Sequence, residues 1–276
     1  MGKASALFAN FSNARLIWSN SRGFSHLKLL AAQASMTRPE LRPFCLAFLN
    51  MVSRSGMFWA WYSTSDGTLR ASFRLSQLQS DIQGLIEVGI GDCYHLPEDF
   101  SPDIIIYGGG NVGLFTLTVL KKWPKAKAII FEPVPDNLDR IKAHLAANGL
   151  QADINPFCLG ASESKMTFYC REANQGNFSG DLPYASTLDV RVTSLMPYLP
   201  TDPETKCLIK LDIEGAETEV LPDIIRQLSP NTLVVGELHD REANQDGFWE
   251  MVAKAGRQVE FFDEGTCAMF HLNTPA

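Results

Sequence analysis

Three glycines at fixed spacing, Gly108, Gly110 and Gly113, and a carboxylate, Glu132, 19 residues beyond the last of them could do chemistry together. Glycines allow positive φ and let a ligand approach the backbone, and a helix that starts behind them offers unpaired N–H groups. A carboxylate at the tip of the following strand is placed to accept hydrogen bonds from ribose hydroxyls. The four residues predict a cradle for a nucleoside-containing ligand. Glycine-rich turns are common, so the loop alone is a weak signal, and the carboxylate is what strengthens it. Two further candidates come late in the chain: Asp212 within IKLDIEGAE and His239 within GELHD. Both end apolar runs that read as strands. An imidazole with an ordinary pKa of about 6.5 suits a general base at neutral pH.

The elements that hold these residues follow from hydrophobic spacing. Residues 104–107 predict a buried strand running into the glycines, and residues 114–123 a helix behind them. Residues 127–134 predict a second strand, 135–148 a helix stopped by Gly149, 153–159 a third strand and 165–170 another extended piece. The stretch 171–186 is polar, glycine-bearing and too long for a simple connection, which marks it as a candidate lid. Beyond it come an extended piece at 187–194, a strand at 207–213, a helix at 216–228, a strand at 232–238 and a helix at 247–255. Residues 258–262 and 268–272 flank Glu264-Gly265 with hairpin-like spacing. Strands alternating with helices imply a parallel sheet, helices on both faces and right-handed crossovers. The expected class is α/β, doubly wound and mostly parallel, with a closing antiparallel hairpin.

Upstream, residues 5–35 and 39–54 predict two or three helices broken near Gly23 and Pro39. Residues 57–75 predict a hairpin turning at Asp66-Gly67, residues 78–88 a helix and residues 91–99 a loop. In the hairpin, Met57, Trp59 and Trp61 alternate with Phe58, Ala60 and Tyr62. Such a stripe is more often a sheet face packed on a core than a platform for an acceptor. Two parts are expected, an N-terminal helical and hairpin extension over residues 1–100 and a ligand-binding domain over residues 101–276.

Composition narrows the classes. The chain has 276 residues, 45% of them apolar, enough for a full globular core. No apolar run is long enough to span a membrane. The six cysteines show no C-x-x-C spacing and read as scattered reduced thiols, not as a disulfide framework or a zinc site. Residues 101–276 hold 15 Lys/Arg against 24 Asp/Glu, which argues against a nucleic-acid substrate and fits a small neutral or cationic acceptor or a sugar. The first 39 residues carry no acid, five basic residues and six serines. That is the composition of an organelle transit segment, although a helical extension that lacks acids is the preferred reading, with a cytoplasmic location. The oligomeric state is left open.

Five blocks, GGNVGLFTL (109–117), FEPVPDN (131–137), CLGASES (158–164), IKLDIEGAETEVL (209–221) and GELHD (236–240), resemble in order and spacing the FkbM family of S-adenosylmethionine-dependent methyltransferases. The resemblance spans roughly residues 57–272. It implies a class I, seven-stranded fold, bound S-adenosylmethionine, and methyl transfer usually to a hydroxyl on a sugar or natural product. The methionine half would lie over the backbone of Gly109, Gly110 and Asn111. Glu132 and Pro133 would meet the ribose, Cys158 and Leu159 would flank adenine, and Tyr94 would close over the ligand. His239 would be the general base, with Asp212 positioning the acceptor or the histidine. Asp212, Glu237 and His239 permit a divalent cation without demanding one, and no metal is assigned. One position departs from the family. The acid expected two residues before the glycine-rich loop is Tyr107, and losing a hydrogen bond to a charged group costs roughly 1.5–3 kcal/mol. Two other readings stand beside this one. A nicotinamide-dependent oxidoreductase would use Gly108, Gly110, Gly113 and Glu132 but leaves IKLDIEGAE unexplained. A non-catalytic methyltransferase-like binding module is the reading Tyr107 motivates.

Overall fold

The structure is a computed structural model that describes residues 13–38, 40–170, 176–177, 184–262 and 268–273. Three helices come first, α1 (13–20), α2 (Gly23–Thr37) and α3 (Arg42–Val52). The hairpin of β1 (Met57–Thr64) and β2 (Gly67–Arg74) follows, paired from Met57↔Arg74 to Thr64↔Gly67. Helix α4 (Leu78–Gly84) continues into a π-helical turn, Leu85–Ile90. The remaining elements are β3 (Ile104–Gly108), α5 (Leu114–Lys122), β4 (Lys127–Phe131), α6 (Pro135–Asn148), β5 (Asp153–Asn155), β6 (Cys158–Leu159), β7 (Ser164–Cys170), β8 (Gly176–Asn177), β9 (Ser186–Thr193), β10 (Cys207–Leu211), α7 (Glu217–Ile224), β11 (Thr232–Leu238), α8 (Arg241–Lys254), β12 (Gln258–Phe261) and β13 (Ala268–Asn273).

Seven strands make the main sheet, in the order β12-β13-β11-β10-β3-β4-β5. The five strands from β11 to β5 are parallel, and β13 pairs antiparallel with both β11 and β12. This is the expected doubly wound α/β sheet with its antiparallel closing hairpin. The chain runs outward from β3 to β4 and β5, then returns to place β10 on the other side of β3. The strand order therefore reverses between β3 and β10, and such sheets bind ligands outside the carboxyl ends of the strands at this point.

Side-chain alternation builds two cores. Ile105, Tyr107, Ile130, Leu208 and Val235 face one side and pack with α5 and α6. Ile106, Phe131, Ile209, Leu211 and Val234 face the other and pack with α7 and α8. The N-terminal helices belong to the first core, because Ile17, Leu29, Ala32 and Leu49 are fully buried in the same cluster as Ile105 and Phe115. Phe58, Ala60 and Tyr62 of β1 point into it as well, so that stripe is a packed sheet face, while Trp61 turns outward. Two polar ties fasten this layer. Asp81 sits between Arg74 at 2.7 Å and Arg140 at 3.1 Å, all three buried. His144 on α6 accepts from the Ser72 backbone N–H at its Nε2 (2.9 Å), so Nδ1 carries the proton and donates to the Val112 carbonyl (2.8 Å). Burial, aided by the neighbouring Arg140 charge, lowers the His144 pKa to about 4, which keeps the ring neutral.

Several boundaries differ from expectation. The third strand stops at Asn155, and Cys158–Leu159 joins a separate four-stranded sheet, order β6-β9-β7-β8. The break falls at Asn155-Pro156, a turn dipeptide that the single expected strand ran across. The strand expected at 207–213 ends at Leu211, and the helix expected at 216–228 covers only Glu217–Ile224, with Pro222 removing a donor inside it. Helix α8 starts at Arg241, six residues early, because Asp240 adopts a left-handed φ of 49° and turns the chain into it. Most of the candidate lid at 171–186, and the Glu264-Gly265 turn, lie outside the described residues. No helix among the described residues is long and apolar enough to cross a membrane.

Candidate functional site

The glycine loop is shaped by what crowds it. Gly109 has φ +77°, and a Cβ there would stand 1.9 Å from the Asp212 carbonyl oxygen, so any side chain is excluded. A Cβ on Gly110 would stand 2.7 Å from Ile130. The N–H groups of Gly109 and Gly110 both donate to the Phe131 carbonyl, at 3.1 and 2.9 Å, which pins the loop to the end of β4. Gly113, also at positive φ, precedes α5.

Glu132 organises the turn beside it. Its carboxylate accepts from Asn111 N–H (2.7 Å), Val134 N–H (2.9 Å) and Asn137 Nδ2 (3.2 Å). Burial raises its pKa to about 7 despite these hydrogen bonds, which favour the charged form. Asn137 has no signal in the sequence beyond its place in FEPVPDN, yet it is buried against this carboxylate.

A cleft with a cavity volume of about 80 Å³, open to solvent, lies over this loop. Gly109, Asn111, Glu132, Pro133, Cys158 and Leu159 line it, as do Phe157, Phe168, Asp212, Ile213 and Glu214. Three of its described lining residues are acids, and none is Lys, Arg or His. Phe157, Phe168 and Ile213 are additions to the residues that sequence spacing pointed to. Phe168 comes from β7 of the small sheet, a distant element that no local pattern connects to the loop. Cys158 is buried and its thiol pKa is pushed up to about 12 by burial, so it is an apolar wall and not a nucleophile.

Tyr94 and Tyr107 are placed beneath the cavity, not in its lining. Both rings pack on Phe115, at 5.5 and 5.0 Å. Between them rises Lys210, whose side chain is buried. Its ammonium donates to Asp212 Oδ2 at 2.8 Å, lies 3.4 Å from the Tyr107 hydroxyl, and sits 4.4 Å from the Tyr107 ring centre. Tyr94 donates its hydroxyl to the same Asp212 oxygen at 3.1 Å. Burial would lower the Lys210 pKa and raise that of Asp212, but each charge stabilises the other. Lys210 is held above its ordinary value and Asp212 below, so both are ionised. The register pairs Tyr107 with Lys210 directly across β3 and β10.

His239 stands at the exit of β11 and meets Glu217, the first residue of α7. The His239 Nδ1 to Glu217 Oε1 distance is 3.1 Å, and Nε2 lies 3.8 Å from Glu214. Glu217 is fully buried and also accepts from the N–H groups of Ile213 and Gly215, at 2.8 and 3.0 Å. Burial lowers the His239 pKa, but the hydrogen bond and charge of Glu217, with Asp212 and Glu237 behind it, raise it to about 9. The expectation of an ordinary imidazole is corrected on that ground. Ligand atoms of Asp212, Glu237 and His239 all come within 4.8 Å of one another. Three non-glycine residues with left-handed φ, Asn111, Glu214 and Asp240, mark the exits of β3, β10 and β11. Backbone conformations of this kind are costly and gather where side chains must be aimed.

A family model described as Methyltransferase FkbM domain matches residues 108–263. "Methyltransferase sdnD" of Sordaria araneosa is 27% identical over 172 residues, covering 50% of this chain and 66% of that protein. "Methyltransferase 1" of Beauveria bassiana is 28% identical over 158 residues, covering 49% of this chain and 64% of that protein. The chain thus spans slightly less than two-thirds of the length of either relative. Among solved structures, the precorrin-6y C5,15-methyltransferase of Geobacter metallireducens aligns with a TM-score of 0.40 at 11% identity, covering 63% of this chain and 82% of that one.

Proposed function

Because the chain belongs to the FkbM methyltransferase domain family, we propose that it is an S-adenosylmethionine-dependent O-methyltransferase acting on a hydroxyl of a small-molecule or glycan acceptor. The observation that carries this reading is the charge of the cavity. S-adenosylmethionine brings a sulfonium and an ammonium, and Asp212 and Glu214 supply the complementary sign. A nicotinamide dinucleotide would bring its pyrophosphate to the same acids, and no described lining residue is Lys, Arg or His, so the oxidoreductase reading is not favoured.

Residues of this chain divide the work. The backbone of Gly109 and Asn111 forms the floor for the amino-acid half. Glu132, whose Oε2 keeps one acceptor site while Oε1 already takes two hydrogen bonds, takes a ribose hydroxyl, and Phe157, Cys158, Leu159 and Phe168 enclose adenine. Asp212 and Glu214 lie where the cationic half comes. The donor, when bound, supplies an electrophilic methyl on a sulfonium, and an acceptor oxygen held in line with it gains mainly from proximity and alignment. The acceptor hydroxyl must lose its proton. Neutral His239 takes it at Nε2, while Glu217 fixes the ring through Nδ1 and stabilises the imidazolium that forms. Asp212 is the second candidate at this point, ionised and partly exposed. Tyr107 does not remove the carboxylate from this part of the site: Asp212 is the acid that Lys210 holds there. The Asp212, Glu237 and His239 cluster permits a divalent cation, which this reading does not require.

A methyl-transfer assay followed by mass spectrometry, across hydroxylated acceptors, tests the reading. Product heavier by one CH₂ should form only with S-adenosylmethionine and fall by about 10²–10⁴-fold in His239→Ala. Folded protein that binds S-adenosylhomocysteine yet methylates no hydroxyl would favour the binding-module reading instead.

A further inference from the structure

Large apolar side chains are unevenly spread over the surface. Eleven are exposed among the described residues, and six of these, Trp18, Phe24, Leu27, Leu41, Phe44 and Met51, lie on α1, α2, α3 or the turn before α3. Their spacing gathers them. Leu41, Phe44, Phe48 and Met51 recur at three- and four-residue steps along one side of α3, away from buried Leu49. Phe24 and Leu27 lie opposite the buried Leu29, Ala32 and Gln33 of α2. The rings of Phe24 and Phe48 meet edge to face at 6.0 Å and join the two stripes. Phe44 and Met51 are each 76% exposed. An apolar patch of this kind marks an interaction surface.

Charge says what it meets. Residues 1–56 hold seven Lys/Arg and one acid, Glu40, whereas residues 57–276 hold 17 Lys/Arg and 30 Asp/Glu. Exposed Arg22 and Arg42 each stand two residues before an exposed phenylalanine. The Lys28 ammonium sits 4.9 Å from the Phe24 ring centre and donates to the Trp59 carbonyl at 2.9 Å, which ties α2 to the hairpin.

We infer that the outer face of α2 and α3 lies on an anionic lipid surface, with Phe24, Phe44 and Met51 among the acyl chains and the exposed Arg22 and Arg42 at the headgroups. A second copy docked on this face about a two-fold axis would set two surfaces of the same positive excess against each other. Negative headgroups complement that excess. The helices lie on the surface and do not cross it, since α2 has 15 residues and α3 has 11. Their inner faces are already locked into the core that carries β3 and α5, so docking needs no rearrangement of the cavity.

Sedimentation of the full chain with vesicles of phosphatidylcholine alone, and of phosphatidylcholine with phosphatidylserine, tests the inference. Binding is expected only to the anionic vesicles, with a blue shift of tryptophan emission and loss of binding as salt is raised. The double variant Phe44→Glu, Met51→Glu should weaken binding by at least about tenfold and keep the wild-type circular dichroism and S-adenosylhomocysteine affinity. Folded wild-type protein that leaves both vesicle types unbound would overturn the inference. So would equal, salt-independent binding to both. Light scattering that shows a dimer, broken by the double variant and blind to vesicles, would assign the face to a second copy and overturn it as well.

Discussion

At His239 two effects compete, and the sign of the outcome decides how the site responds to pH. Burial favours the neutral ring, but the fully buried Glu217 carboxylate at 3.1 Å outweighs it and raises the pKa to about 9. A general base acts in its neutral form, so the transfer rate should rise with pH through about 9, where an unpartnered histidine would level off near 7. Glu217→Gln removes the charge and keeps an acceptor for the ring while one backbone N–H, of Ile213 or Gly215, loses its partner, so the rise should move to lower pH. A pH–rate profile of both proteins checks this, and identical midpoints would remove Glu217 from the account. The same pair bears on stability. A raised histidine pKa stabilises the fold fully below the unfolded value of about 6.5, and the contribution is lost as pH rises through about 9. The gap between wild type and His239→Ala in denaturant unfolding should close over that window. Sequence spacing picked out His239 and Asp212 but gave an ordinary pKa, because Glu217 lies 22 residues away and reaches the ring only through the turn into α7. Glu132 was legible for the opposite reason: strand, glycines and carboxylate are all local. Glu132→Ala should weaken S-adenosylhomocysteine binding at least about tenfold, or about 1.4 kcal/mol. Calorimetry showing unchanged affinity would take Glu132 out of the site.

The element that departs most from its family pattern is β3, and its partner strand explains how the site tolerates it. Tyr107 lies across from Lys210, so an acid at position 107 would face the same ammonium that Asp212 now holds. Tyr107→Asp therefore puts two carboxylates beside one buried lysine and removes a ring packed on Phe115. Thermal denaturation should show a loss of about 3 kcal/mol, in the range for deleting a buried aromatic. Tyr107→Phe, which gives up only a 3.4 Å contact, should keep both stability and donor affinity. Tighter S-adenosylmethionine binding by Tyr107→Asp at unchanged stability would show that Tyr107 is simply a lost contact. The link between α6, the hairpin and the glycine loop runs through His144. His144→Ala strands the Ser72 N–H and the Val112 carbonyl and leaves a cavity. It should cost about 2–4 kcal/mol and weaken ligand binding by loosening the loop. Because its folded pKa is depressed to about 4, the stabilisation from His144 is present above about 6.5 and is lost as pH falls towards 4. The alternation of strands and helices was readable because each element keeps one period along its length. The jump of Cys158–Leu159 to the small sheet was not, since register across sheets is set by long-range pairing with β9.

For the whole molecule, charge is the property that ties sequence to function. The acidic second half, visible in composition alone, becomes a cavity whose described lining carries three acids and no base. The basic, acid-poor start becomes helices α1 to α3, packed by their inner faces on the core beside β3. Composition showed that this start differed from the rest, but the burial of Ile17, Leu29 and Leu49 was needed to make it part of the fold. The central claim is that the cavity takes a cationic methyl donor. Isothermal titration of the wild-type protein with S-adenosylmethionine, S-adenosylhomocysteine and NAD tests it most directly. The first two should bind, and Asp212→Asn should weaken S-adenosylmethionine more than S-adenosylhomocysteine, which lacks the sulfonium charge. NAD should give no heat of binding. Saturable binding of NAD, with neither of the other two bound, would contradict the account.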